Sequence, residues 1–233
     1  MHRPEVIAHR GTPREHPENT LPSFLRALEL GADAVELDVH ATSDGVVVVH
    51  HDPVMRGIAP RPELAGQRIA ELTATELARF RVDGDVAIPT LEAVLDAIGD
   101  RATVYVEVKG RRIEQAVVDC VKHLPARTAI HCFDHRVVRR VHELAPDVPT
   151  GVLIAGYLLE PGEELRKVGA RDYWLERQFI DEEAVRRVHA AGGRMIAWTV
   201  NHRAEAEMLA HMGVDGICTD VMAEIFPVVE PVA

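Results

Sequence analysis

From Val6 to Cys218 the chain alternates short apolar runs with amphipathic stretches, and no linker or low-complexity segment interrupts the alternation. The runs Val6 to His9, Ala34 to Val39, Val46 to His50, Thr103 to Lys109, Thr128 to Phe133, Val148 to Ile154, Asp172 to Leu175, Arg194 to Thr199 and Gly213 to Cys218 have the length and composition of strands. Helical periodicity fills most of the gaps. Leu21, Phe24, Leu25 and Leu28 mark the first helix, with Asn19 or Thr20 as its cap and Gly31 as its stop. Val46 to His50 follows its predecessor across a Ser-Asp-Gly turn and extends it as a hairpin or bent strand. Setting that run aside leaves eight β-α units in 233 residues. This fits a (β/α)8 TIM barrel, whose usual size is about 250 residues. A doubly wound open sheet is the structural competitor, but the glycine-rich phosphate loop expected of it is absent.

We therefore expect an α/β fold in which residues 1–233 form a single TIM-barrel domain, with an insertion after strand 2 at approximately 53–87. That segment holds Pro60, Pro62 and a short helical pattern around Ala74 to Phe80, and is too long for a plain loop. At the C-terminal face of a barrel it would shape access to a site.

Two of the strand runs carry charge where a buried strand should carry none. Side chains alternate along a strand, so in Ala34 to Val39 the carboxylates of Glu36 and Asp38 share one face while Val35, Leu37 and Val39 take the other. Burying two like charges side by side is expensive unless a cation compensates them. Thr103 to Lys109 repeats the device, with Glu107 and Lys109 opposite three valines. His9 and Arg10 close the first strand and His51 the extension of the second, so all these groups fall on the face where such barrels place their active sites. Hard oxygen ligands from adjacent strands suit Mg²⁺, Ca²⁺ or Mn²⁺ better than zinc. One divalent cation, two cationic side chains and two histidines make a site suited to a phosphodiester. His50 and His51 are adjacent on an extended run and point opposite ways, so only one of them can face it.

Composition narrows the function classes. A net charge of -11 disfavours nucleic acid as a partner. No apolar run is long enough to span a bilayer, which argues against stable membrane insertion, and no leader precedes the first strand run; we expect a cytoplasmic protein. Cys120, Cys132 and Cys218 are odd in number and widely spaced, the pattern of buried reduced thiols rather than of disulfides or a zinc site. Most of the 13 histidines are expected on solvated helix faces. Nothing in the sequence points to a particular oligomeric state.

His9-Arg10-Gly11, Pro17-Glu18-Asn19-Thr20-Leu21, Glu36-Leu37-Asp38-Val39, Asp44-Gly45 followed by His51-Asp52, Ile88-Pro89-Thr90-Leu91, Glu107-Val108-Lys109 and Gly213-Val214-Asp215-Gly216 with Thr219-Asp220 occur in the order and spacing of one family. Over nearly its whole length the chain resembles the glycerophosphodiester phosphodiesterases. The resemblance implies a TIM barrel that hydrolyses glycerophosphodiesters to glycerol 3-phosphate and an alcohol with a divalent metal. On matching positions it implies His9 and His51 as the acid-base pair, Glu36, Asp38 and Glu107 as metal ligands, and Arg10 and Lys109 as phosphate holders. Trp198 would line the glycerol pocket. Glu18, Asn19 and Thr20 are read here as a helix cap and loop brace. Cys132-Phe133 stands where the family more often has Ser-Phe, and the stretch after Asp52 lacks a common Arg-Thr-Thr sequence. The rival readings are a lysophospholipase D-like head-group hydrolase or lyase on the same barrel, and a non-catalytic phosphodiester-binding barrel.

Overall fold

The computed structural model describes residues 3–55, 66–82, 85–124 and 126–229. Eight strands run parallel and close on themselves: β1 (Glu5–His9), β2 (Ala34–Ala41), β6 (Thr103–Val108), β7 (Arg127–Cys132), β8 (Thr150–Ile154), β9 (Asp172–Glu176), β10 (Arg194–Trp198) and β11 (Gly216–Thr219). Closure is made by β1, which pairs with both β2 and β11. The short β3 (Val47–Val49) runs antiparallel to the end of β2, with Val39 opposite Val49, so the hairpin reading of Val46 to His50 holds.

Alternation along each strand divides the side chains into two cores. Val35, Leu37, Val39, Val104, Val106 and Val108 face outward into the layer beneath the helices. Inside the barrel, Ile7, Ala34, Tyr105, Ala129, Leu153, Trp174, Ile196 and Cys218 pack together. Helix α1 (Leu21–Glu29) buries Phe24 and Ala27 but leaves Leu25 exposed. Thr20 occupies its N-cap position without a side-chain cap bond; its hydroxyl donates to the Pro17 carbonyl at 2.6 Å.

Below the apolar layer, the N-terminal mouth is closed by charge. Tyr105 Oη donates to Glu5 Oε2 at 2.7 Å, and Arg194 donates to Glu5 Oε2 at 2.7 Å and to Tyr105 Oη at 3.1 Å. Each charge there has a partner, the condition under which burial is tolerated.

The insertion after β3 contains α2 (Ala74–Leu77), capped reciprocally by Thr73 and Glu76, and the antiparallel pair β4 (Arg81–Val82) and β5 (Val86–Ala87). Met55, Ile69, Leu72, Leu77 and Phe80 form a small core of their own on Val48. The part of this region that includes Pro60 and Pro62 lies outside the described residues. Among the described residues no helix is long and apolar enough to cross a membrane. Cys120, Cys132 and Cys218 are free thiols.

Candidate active site

The chain turns sharply as it leaves β1. Arg10 adopts a left-handed backbone (φ 55°) and Gly11 follows at φ 87°. The turn brings Gly11 against α1 so closely that a Cβ there would lie 2.4 Å from Ser23 Oγ and 2.7 Å from the Ser23 carbonyl carbon. Only glycine fits both the dihedral and the space. Gly11→Ala is accordingly expected to cost about 2–4 kcal/mol, combining overpacking with a disfavoured φ. Urea unfolding measures this directly; a change below about 0.5 kcal/mol would contradict the packing described.

His9, at the end of β1, and His51, in the bend just past β3, reach one cavity of about 250 Å³, together with Arg10, Glu36, Glu107, Lys109, His131, Phe133, Leu153, Trp174, Trp198, Thr199 and Cys218. His50 does not line it. Each of the two imidazoles is held by a carboxylate: His9 Nδ1 lies 2.6 Å from Asp220 Oδ1, and His51 Nδ1 lies 2.9 Å from Asp52 Oδ1. An ionised carboxylate only accepts, so Nδ1 is the protonated nitrogen in both rings and Nε2 carries the lone pair when the ring is neutral. Burial opposes the charged form of His9, but the Asp220 hydrogen bond and the charge of Glu36 outweigh it and raise its pKa above 6.5. Asp220 is fixed in turn by Asn201, whose Nδ2 donates to Oδ2 at 2.6 Å while its Oδ1 accepts from the Asp220 backbone N–H at 2.9 Å.

Glu36 is 2% exposed and Glu107 8% exposed. One ligand atom from each, and one from His131, all lie within 4.8 Å of one another. Glu36 Oε1 is 3.7 Å from His131 Nε2 and Glu36 Oε2 is 3.9 Å from His9 Nε2. Burial, then repulsion from Asp38 and Glu36, pushes the Glu107 carboxyl up to about 7. Three acidic groups with one forced toward neutrality form a site short of positive charge. A divalent cation fits this donor set, oxygen-rich with an imidazole alongside.

Asp38 is fully buried and lies against the two cationic side chains. Oδ2 accepts from Asn19 Nδ2 at 2.9 Å and lies 3.1 Å from Arg10 Nε; Oδ1 lies 3.5 Å from Lys109 Nζ and has no hydrogen bond of its own. Burial raises its pKa, but Arg10, Lys109 and the Asn19 hydrogen bond lower it further, and the net shift is downward. Asp38 thus anchors both cationic side chains. Of the two cap residues read from the sequence, Thr20 takes the N-cap position, while the Asn19 amide clasps Asp38, also accepting from the Asp38 backbone N–H at 3.2 Å. Glu18 pairs with Arg10 at 3.1 Å.

Trp198 stands edge-on to Phe133, ring centroids 5.5 Å apart, in the apolar wall of the cavity. Cys132, below Phe133, donates its thiol to the Val108 carbonyl at 3.0 Å and accepts from the Asp134 N–H; burial pushes that thiol up to about 12. Sequence reasoning passed over His131, Asp220 and Asn201. His131 stands near the C-terminal end of β7 on its inward face, where Trp174 stacks on it at 4.4 Å.

A statistical model of the glycerophosphoryl diester phosphodiesterase family matches residues 9–224. The chain belongs to this family. A glycerophosphodiester phosphodiesterase of Caldanaerobacter subterraneus is 34% identical over 227 residues, spanning 92% of this chain and 93% of the relative. Among solved structures, the chain superimposes with a TM-score of 0.90 on a phosphodiesterase of Oleispira antarctica in complex with the product sn-glycerol-3-phosphate. That pair is 25% identical, with 98% of this chain and 97% of the other covered. The glycerophosphodiester phosphodiesterase of Thermotoga maritima gives a TM-score of 0.84 at 27% identity, with 98% and 99% covered.

Proposed function

We propose that this family member hydrolyses glycerophosphodiesters to glycerol 3-phosphate and an alcohol, using His9 and His51 as acid and base with one divalent cation, Mg²⁺ or Ca²⁺, Mn²⁺ being a further fit. The observation that carries the proposal is the pair of carboxylate-held imidazoles facing one cavity that also presents Glu36, Glu107, Arg10 and Lys109. The product bound to the Oleispira relative supports the same substrate class.

Glu36, Asp38 and Glu107, with His131 beside them, would hold the ion, which when bound supplies Lewis acidity toward phosphoryl oxygens. Arg10 and Lys109 neutralise the phosphate. Trp198, Phe133 and Leu153 offer an apolar wall to the glycerol carbons. His9, with Nδ1 committed to Asp220, takes a proton at Nε2 from the attacking hydroxyl, and His51 gives one from Nε2 to the leaving alkoxide. The vicinal glycerol hydroxyl is the attacking group in the first step; water then opens the cyclic phosphate with the two histidines exchanging roles. A cytoplasmic location is part of the proposal, and the three free thiols are in keeping with a reducing compartment.

Following glycerophosphocholine by ³¹P NMR tests both parts. Glycerol 3-phosphate is the expected product, with a transient cyclic phosphate preceding it. A diester lacking the free vicinal hydroxyl that reacted at full rate would remove the cyclic route, and a lack of any phosphomonoester with each of the three cations would remove the activity.

A further inference from the structure

Behind His51 and Lys109 lies a second cavity of about 560 Å³, lined by His40, Thr42, Ser43, Pro53, Arg68 and Arg111 among others. His51 and Lys109 line both cavities, so they form the wall between them. The first cavity has the aromatic surface for glycerol and contains His9. The second is bordered by the insertion on one side and by the loop after β6 on the other.

Its charge is unusual for this chain. The net charge is -11, yet the described residues lining the second cavity include Lys109, Arg68 and Arg111 and no Asp or Glu. Arg68 and Arg111 are exposed, and neither forms an ion pair with a described residue. Lys109, by contrast, is committed to Glu107 at 3.1 Å and Asp38. Two unengaged guanidinium groups in one concave space, with the hydroxyls of Thr42 and Ser43, are suited to an oxyanion. A cavity of this size accommodates a sugar-sized group.

We infer that the second cavity receives the leaving alcohol and selects alcohols that carry a further anionic group, a phosphate monoester foremost, through Arg68 and Arg111. This rests on the phosphodiesterase reading given above. With glycerol in the first cavity and phosphorus beside Arg10 and Lys109, the scissile P–O bond lies at the shared wall. His51 then meets the alcohol oxygen from that wall. A cationic alcohol such as choline would meet the same arginines with repulsion.

The test compares kcat/KM for three diesters with Mg²⁺ present: glycerophosphoglycerol, with a neutral alcohol; glycerophosphocholine, with a cationic one; and glycerophosphoinositol 4-phosphate, with a second phosphate. A charge-assisted hydrogen bond to each arginine predicts a preference of about tenfold or more for the phosphorylated alcohol over the neutral one. In the double variant Arg68→Ala, Arg111→Ala that ratio falls to within about twofold of unity, and in Arg111→Glu the ranking moves toward choline. Circular dichroism and Tm confirm that these surface variants fold. Equal rates on all three diesters, or a ratio that the double variant leaves intact, would overturn the subsite while the phosphodiesterase reading stood. Failure to cleave any diester would overturn both.

Discussion

His9→Ala and His51→Ala should each lower kcat for glycerophosphodiester hydrolysis by about 10²–10⁴-fold, the usual worth of a positioned general acid or base. The two losses have a common origin in the way the barrel presents the rings. Each imidazole has one nitrogen fixed by a carboxylate, Asp220 for His9 and Asp52 for His51, so each works from a set tautomer and orientation. On the proposed assignment, truncation removes the proton acceptor in one case and the proton donor in the other. KM should change far less than kcat, because Arg10 and Lys109, the proposed phosphate holders, stay in place. Asp220→Asn keeps the shape but gives His9 Nδ1 an amide in place of a carboxylate, and a smaller loss is expected. Steady-state kinetics on purified variants with unaltered circular dichroism would check this; activity above a tenth of wild type in both histidine variants would contradict the assigned roles.

Glu36→Gln is expected to weaken divalent-cation binding by about 100-fold or more, since even the groups that merely orient ligands are worth about 10–100-fold. Its two oxygens lie 3.7 Å from His131 Nε2 and 3.9 Å from His9 Nε2, and among the described residues it forms no ion pair with an Arg or Lys side chain. Glu107 adds a pH signature. Folding raises its pKa from 4.5 to about 7, so the folded protein binds this proton more tightly than the unfolded chain. Metal-free stability from this group is greatest below the lower value and is lost as pH climbs through about 7. A divalent ion requires the deprotonated form, and its stabilisation grows across the same window. The Tm gain from saturating Mg²⁺ or Ca²⁺ should therefore be larger near pH 8 than near pH 5, and smaller at both in Glu36→Gln. A gain that shrinks with rising pH would contradict the crowding of carboxylates described here.

The barrel was legible because its signals are local. Alternation placed Glu36 with Asp38 and Glu107 with Lys109 on inward faces, and the valines between them do pack outward beneath the helices. The residues that support the site were not legible for the opposite reason. Asp220 reaches His9 across 211 positions of chain, and only closure of β1 against β11 brings them together. Asn19 has the composition of a helix cap, and its use as a clasp on Asp38 depends on the left-handed turn that Arg10 and Asn19 both adopt. His131 was masked by number: among 13 histidines, one on an inward strand position has no separate signature until the ring of strands is closed. The second cavity behind His51 is likewise lined by segments far apart in the sequence, the end of β2, the insertion and the loop after β6.

The most direct test of a cation-assisted, two-imidazole site is the rate of glycerol 3-phosphate release from glycerophosphocholine by metal-stripped protein, measured in chelator and again after adding Mg²⁺, Ca²⁺ or Mn²⁺. Release should be at background in chelator and return with at least one of these ions, but not in His9→Ala. Full activity in chelator, or restored activity in the histidine variant, would contradict it.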